Sequence, residues 1–540
     1  MKTNKAIVSF LIVIILTMVQ SGLVYAENRD YTYDESNRLT QTDKIQFIYD
    51  NNGNLVEKKK ISHDNEIHYV SSNDFSPNQG ENCWYYQEWD GKEYKSLEWD
   101  DALKQWKGSQ YWLRVAREFQ HPDGNDSVRK WVAPKRGEIK ITGKVAKMVG
   151  QILGDGVQVK VMKNEVQIWP SSSWQEIAFD DTRGIDVNIT TEVDKGDSIY
   201  FIVNQKQTIN YDGTYWDPKI TYITPKSSAI KEFSPKQGSG NWYYQEWDGK
   251  EYIDLTWNAD LKQWLGSTFW LRIAREFQHP DGNDSVRKWV ASKDGKINIT
   301  GKVAKLEGQI YGDGVRVKII KNHTQIWPLS GWKHIEHNDT TGVNISLVTE
   351  VEKGDSIYFI VNQNGTIDYD TTYWDPTIMY IPSVYNGSKE FSTIQGKDNW
   401  YYQEWNGKEY KNLTWNDELK QWQGSTYWLR IAQDFMHPDG NDVVRTWVSP
   451  RNGSLQITGD VAKLKGQVLG DGVHVKIMKN NSQIWPVTGW QTISSDDIKG
   501  SNINTLVEVE KGDSIHFIVN QNQTMNFDGT SWNIALSLFP

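Results

Sequence analysis

Residues 156–170 read GVQVKVMKNEVQIWP. Val157, Val159 and Val161 alternate with polar residues and would share one face of an extended strand. Lys163-Asn164 can turn the chain, and Val166-Gln167-Ile168 returns it. Just before lies Gly154-Asp155-Gly156, whose glycines tolerate the positive φ that a tight turn requires. The segment predicts a β-hairpin with one buried face.

The neighbouring segments carry the same period of two. EIKITGKVAK (138–147) alternates apolar and polar positions, DVNITTEVDKGDSIYFIVNQ (186–205) reads as two strands around Asp194–Asp197, and PKITYI (218–223) ends the unit. DDALKQW (100–106) is expected to form one helical turn. Many short strands, frequent Gly/Asn/Asp turns and no crossover helices point to an all-β, antiparallel β-sandwich of jelly-roll type.

This unit occurs three times. Trp84, Trp242 and Trp400 open WYYQEWDGKEY, WYYQEWDGKEY and WYYQEWNGKEY at a spacing of 158 residues, and His121, His279 and His437 keep that spacing. Solenoid repeats run about 20–50 residues, so each copy is long enough to be a domain with its own core. The expected boundaries are 71–225, 231–383 and 389–540. TPKSSAIKEF (224–233) and PSVYNGSKEF (382–391) read as short linkers between them.

Residues 1–26 have the pattern of a signal peptide: Lys2 and Lys5, an apolar run from Ala6 to Val19, and small residues before Glu27. A secreted product without membrane insertion is expected. The formal charge of −10 and the lack of a basic stripe disfavour nucleic acid as a partner. Cys83 is the only cysteine, and Asn241 and Asn399 stand in its place in the other copies, so stability must come from packing rather than disulfides.

All 27 tryptophans lie in the copies, nine in each. A buried aromatic removes roughly 150–250 Å² from water, and nine indoles exceed what a small sandwich core requires. Part of that surplus is expected on the surface, where flat rings stack on sugars while polar neighbours bond the hydroxyl groups. Alternation in WYYQEW places Trp84, Tyr86 and Glu88 on one face and Tyr85, Gln87 and Trp89 on the other.

HPDGNDSVRKWV (121–132) gathers His121, Asp123, Asn125, Asp126 and Arg129 before Trp131. Loops on a rigid sandwich are where binding residues collect. This one is read as ligand-bonding, as a structural calcium site on Asp123, Asn125 and Asp126, or as an Asx-type turn. YDGTYWDP (211–218) sets Asp212 and Asp217 around Trp216. Copy three has Asn533 for Asp217, which predicts weaker binding there if that aspartate holds a ligand.

The candidate ligand-binding set is therefore Trp84, Tyr86, Trp89, His121, Asp123, Arg129, Trp131, Trp174 and Trp216 in copy one. Copy two contributes Trp242, Tyr244, Trp247, His279, Asp281, Arg287, Trp289, Trp332 and Trp374. Copy three contributes Trp400, Tyr402, Trp405, His437, Asp439, Arg445, Trp447, Trp490 and Trp532. A glycosidase needs two carboxylates about 5–10 Å apart. No HExxH, GxSxG or Cys/His pairing marks another hydrolase, and no catalytic residue is assigned.

Two resemblances add to this reading. YTYDESNRL (31–39) and FIYDNNGNL (47–55) resemble the YD repeats of the Rhs family, with Asn37 where glycine is usual. Two such phrases are too few to form a shell, so residues 27–70 are expected to form a remnant hairpin segment. HPDGNDSVRKWVAP, GDGVRVKI, QIWP and VDKGDSIYFIVNQ resemble a β-sandwich module of secreted bacterial carbohydrate-active and cell-surface proteins. That resemblance implies a non-catalytic role beside a polysaccharide or cell-surface glycan, with a partner enzyme or the cell wall nearby. The alternatives are a structural or adhesive surface protein and a polysaccharide-degrading enzyme.

Overall fold

A computed structural model describes residues 66–540 continuously and, before them, the backbone of four strands. These strands, Thr32–Tyr33, Leu39–Gln41, Ile45–Tyr49 and Leu55–Lys60, form an antiparallel sheet in chain order. The expected signal peptide and the turns of the YD-like phrases lie outside the described residues.

Each copy is a sandwich of two antiparallel sheets. In copy one the smaller sheet runs Val166–Trp169, Val157–Lys163, Ser198–Asn204, Asp126–Val132, Trp84–Trp89, Tyr94–Ser96, with Gln175–Ile177 also on Val157–Lys163. The larger sheet is built around Gly137–Lys147, which pairs with Ile185–Val193 on one side and with Thr214–Trp216 and Lys219–Tyr222 on the other. The valine hairpin forms as read, with Asn164 at φ 51 in its turn. A Cβ on Gly154 or Gly156 would run into the carbonyl oxygen of Asn210 or Ile177, so these positions require glycine for space as well as for φ.

Ile185–Val193 and Ser198–Asn204 do not pair with each other: Asp194–Asp197 carries the chain from one sheet to the other. Such crossings make the sandwich jelly-roll-like rather than a stack of hairpins. Residues 101–104 form turns instead of the expected helical turn, and the strand Gln105–Lys107 follows directly. Among the described residues there is no α-helix.

The apparent linkers are structural. Lys226–Ser228 pairs with Thr377–Ile381 of copy two, and Ser383–Asn386 pairs with Thr530–Phe539 of copy three, as His68–Val70 does with Lys219–Tyr222 of copy one. The domains therefore begin near 66, 226 and 383, a few residues before the positions expected from composition. Copy three also differs at its end. Asp217-Pro218 and Asp375-Pro376 interrupt the last strand, because proline has no N–H for the ladder. Asn533-Ile534 lets it run unbroken over Thr530–Phe539.

Copies one and three touch directly. Asn504 donates from its amide nitrogen to the His68 carbonyl (3.0 Å) and to both Asp74 oxygens (3.1 and 3.2 Å), and its backbone N–H reaches Asn82 Oδ1 at 2.9 Å. Lys135 of copy one lies over the Phe539 ring, and Lys293 of copy two donates to the Pro540 backbone oxygen. A cleft of about 730 Å³ between copies one and three includes Phe75, Trp99, Arg117, Asp497, Lys499 and Asn502 in its lining.

Two outcomes are expected. Burial raises the Asp74 carboxyl to about 7, against about 3.9 in an unfolded chain. The native state then holds the extra proton between those values, so stability falls as pH rises from about 4 to about 7. Urea unfolding of Asp74→Asn should lack this part of the pH dependence. In the same assay Trp131→Ala should cost about 3–5 kcal/mol, whereas Trp112→Ala should stay within about 0.5 kcal/mol of the parent.

Candidate functional site

Most of the expected tryptophans are core. Trp84, Tyr86, Trp131, Trp216, Trp242, Tyr244, Trp289, Trp374, Trp400, Tyr402, Trp447 and Trp532 are each at most 2% exposed. Their expected stacking on sugar is corrected: they point between the sheets. Trp84 stands opposite Trp131 on neighbouring strands, Tyr86 stacks on Trp106 of the other sheet at 5.1 Å, and Phe201 meets Trp216 edge-on at 5.4 Å. Glycan cannot reach rings in this position.

Arg129, Arg287 and Arg445 are likewise buried and are not ligand contacts. The Arg129 guanidinium donates to the carbonyls of Ala116, Arg117 and Phe119, tying the loop before the strand to the core. Burial lowers its pKa to about 10. A guanidinium offers five donors in one plane, which suits several carbonyls better than one carboxylate.

Half-buried rings lie on the outward face of the smaller sheet. Trp89, Trp247 and Trp405 pack against Tyr94, Tyr252 and Tyr410 with centroids 4.5 Å apart. Trp174, Trp332 and Trp490 carry the ammonium groups of Lys160, Lys318 and Lys476 at 4.0, 3.9 and 4.0 Å from their centroids. A cation over the ring is itself a favourable partner and occupies one face.

The loop residues His121 and Asp123 do meet an open aromatic surface. Trp112 is 53% exposed, and its counterparts Trp270 and Trp428 are 50% and 47% exposed. Beside them Tyr111, Phe269 and Tyr427 stand at right angles or nearly so, with centroids 4.9, 5.0 and 5.1 Å away. An arginine covers this pair: Arg272 lies 4.9 Å from Phe269 and 5.0 Å from Trp270, Arg430 lies 4.1 Å from Tyr427 and 4.8 Å from Trp428, and Arg114 lies 5.5 Å from Tyr111.

The platform is fixed from below. Asp123, Asp281 and Asp439 each accept the backbone N–H of the exposed tryptophan, at 2.9, 3.0 and 3.2 Å. Glu88, the inward residue of WYYQEW, is buried and accepts the Ser109 N–H at 2.8 Å and the Asn125 amide at 3.2 Å. His121 lies 6.2 Å from the indole and bonds the Pro122 carbonyl through Nδ1 at 2.7 Å, so Nε2 is left as an acceptor. Burial lowers its pKa and keeps the ring neutral near pH 7.

Tyr111, Trp112 and Arg114 are absent from the expected set. Their signal was present: adjacent aromatics within KGSQYWLR (107–114), a Gly/Ser-flanked stretch without the strand period. The side chains read as a calcium set are each engaged separately, Asn125 through its amide nitrogen. Asp123 holds the Trp112 N–H, Asn125 holds Glu88, and Asp126 accepts from Asn204 at 2.6 Å. Among the described residues no group of three or more His, Cys, Asp or Glu side chains is placed to hold a metal ion.

Asp212 is buried 3.8 Å from Lys147, and Asp217 accepts the Ser72 N–H and hydroxyl at 2.8 and 2.7 Å. Both serve the fold, so the Asn533 difference loses its expected bearing on ligand binding. One optical consequence follows from the exposures. Acrylamide should quench a minor, highly accessible part of the tryptophan emission, and Trp112→Phe/Trp270→Phe/Trp428→Phe should remove that part while leaving the rest unchanged.

No family model matches the sequence, and no curated protein matches it. Solved structures with some likeness include three tandem arrangements. Tandem CBM51 modules of a family 98 glycoside hydrolase from Streptococcus pneumoniae share 10% identity over 65% of this chain and 100% of that one, with a TM-score of 0.19. The M60 catalytic domain with two CBM51 domains of ZmpB from Clostridium perfringens shares 10% identity over 74% and 55%, at 0.18. The CBM22 tandem of Xyn10C from Paenibacillus barcinonensis shares 9% identity over 48% and 88%, at 0.16. Values this low transfer neither fold nor ligand, and the β-sandwich assignment stands on the strand pairings themselves.

Proposed function

We propose that the chain is an exported, non-catalytic carbohydrate-binding protein with three equivalent sites, one per copy. The observation that carries this reading is the repeated platform: a single highly exposed tryptophan in each copy, pinned by an aspartate and flanked by an aromatic ring, an arginine and a neutral histidine. The C–H face of a pyranose stacks on indole. The histidine Nε2 acceptor then serves a ring hydroxyl group, while the arginine, buried in copies one and three, backs the aromatic pair. Because the loop is held by buried Glu88 and its equivalents Glu246 and Glu404, little ordering cost attends binding.

One platform with a single indole binds weakly. Three on one chain act together on a polymer with repeating sugars, and linkage raises avidity by about 10²–10⁴-fold. The chemistry of Trp, Tyr and Arg also suits a protein interface, and the test separates the two. In native gels containing soluble polysaccharides, the full chain should be retarded by at least one polymer. Trp112→Ala/Trp270→Ala/Trp428→Ala should lose most of that retardation, and variants with two platforms removed should lose about a hundredfold in avidity. Equal retardation of parent and triple variant would sink the platform reading. Self-association abolished by the same triple variant, with no glycan retarding the parent, would favour adhesion.

A further inference from the structure

The outward face of the smaller sheet differs between copies at its centre. Register aligns Tyr85, Lys130 and Tyr200 in one cross-strand row. Lys130 Nζ lies 5.2 Å from the Tyr85 centroid and 5.6 Å from Tyr200, and Lys288 lies 5.2 Å from Tyr243 and 5.7 Å from Tyr358. In copies one and two the ammonium therefore sits between two phenol rings.

In copy three the row reads Tyr401, Thr446 and His516. Exchanging lysine for threonine removes the long side chain and its charge from the middle of the face. A cavity of about 340 Å³ opens there, lined chiefly by Tyr401, Gln403, Tyr410, Thr446, Asn480 and His516. Ligand pockets span about 300–1,000 Å³. No Asp, Glu, Lys or Arg lines this one.

The polar groups at its base form a connected chain. Thr446 Oγ1 lies 2.8 Å from His516 Nδ1 and 2.7 Å from Gln403 Oε1, and Gln403 Nε2 donates to Asn412 Oδ1 at 2.9 Å. Every donor finds an acceptor if His516 Nδ1–H donates to the threonine oxygen and the threonine hydroxyl donates to Gln403, which leaves His516 Nε2 as an acceptor. Tyr410 lies parallel to the imidazole at 4.1 Å and 4°, holding it flat. Burial keeps the ring neutral, with a pKa near 4.

We propose that copy three alone carries a second binding site on this face, for an uncharged polyhydroxyl group such as a residue of a neutral glycan, and that Lys130 and Lys288 occlude the equivalent place in copies one and two. Aromatic walls, an amide, hydroxyl groups and a neutral imidazole without any formal charge match neutral hydroxyl groups and leave no counter-ion for an anionic sugar. The site lies on a different face from the exposed tryptophans and does not depend on them.

The test uses the full chain carrying Trp112→Ala/Trp270→Ala/Trp428→Ala, titrated calorimetrically with cello-, xylo-, manno- and galacto-oligosaccharides. One site per chain for at least one neutral oligosaccharide is expected. Adding Thr446→Lys, the residue that copy two carries, should abolish it, and adding Lys288→Thr/Tyr358→His should raise the count to two. The His516 ring signals should shift on binding in the triple variant and stay unmoved in Thr446→Lys. No binding by the triple variant to any of the four series, or binding that survives Thr446→Lys, would overturn the proposal. More than one remaining site in the triple variant would count against the tryptophan platforms instead, and a drop of one site with Thr446→Lys would still decide this site.

Discussion

The structure depends on burying large aromatic rings between two sheets. Trp84 and Trp131 fill the inner face of one sheet side by side, Tyr86 stacked on Trp106 and Phe201 against Trp216 bridge the layers of copy one, and the same pairs recur in the other copies. At 25 cal/mol per Å² each such ring contributes roughly 4–6 kcal/mol of gross burial. A chain with one cysteine has no disulfide within itself, so this packing is what offsets the entropy of ordering so many short strands and long connections.

The core and the exposed platform are connected through charged groups that lie inside. Glu88 points inward with Trp84 and Tyr86, yet its carboxylate holds the loop that carries Trp112. Arg129 comes from the neighbouring strand and ties down the backbone at residues 116–119. Each is costly to bury alone, and each is matched by the backbone groups it holds. The outcome is an aromatic surface that is open to solvent and still rigid, the condition under which a ring can bind without first being ordered.

Near-identity of sequence does not make the copies equivalent. Copy three lacks the Asp-Pro interruption and runs its last strand continuously, and it exchanges a lysine for a threonine on the outer sheet face. Copies one and three meet through Asp74, Asn82 and Asn504, whereas copy two has Glu232, Gly240 and Ser346 at those positions. Three domains of one type thus differ where they touch one another and at the centre of one face.

The repeat, the all-β class, the valine hairpin and the alternating faces of WYYQEW were legible in the sequence, because period-two patterning and turn residues act over a few neighbours. The excess of indoles was also legible, but not which of them stay open. Alternation names two faces and leaves their direction undecided; only the packing of the second sheet turned Trp84, Trp131 and Trp216 inward and left Trp112 out. The seams misled for the same reason: Lys226–Ser228 and Ser383–Asn386 look like linkers until the partner strand, some 150 residues away, supplies their hydrogen bonds. Composition and local period determined the kind of domain and their number, while long-range contacts decided which rings face water, since exposure is a property of what packs above a residue and not of the residue itself.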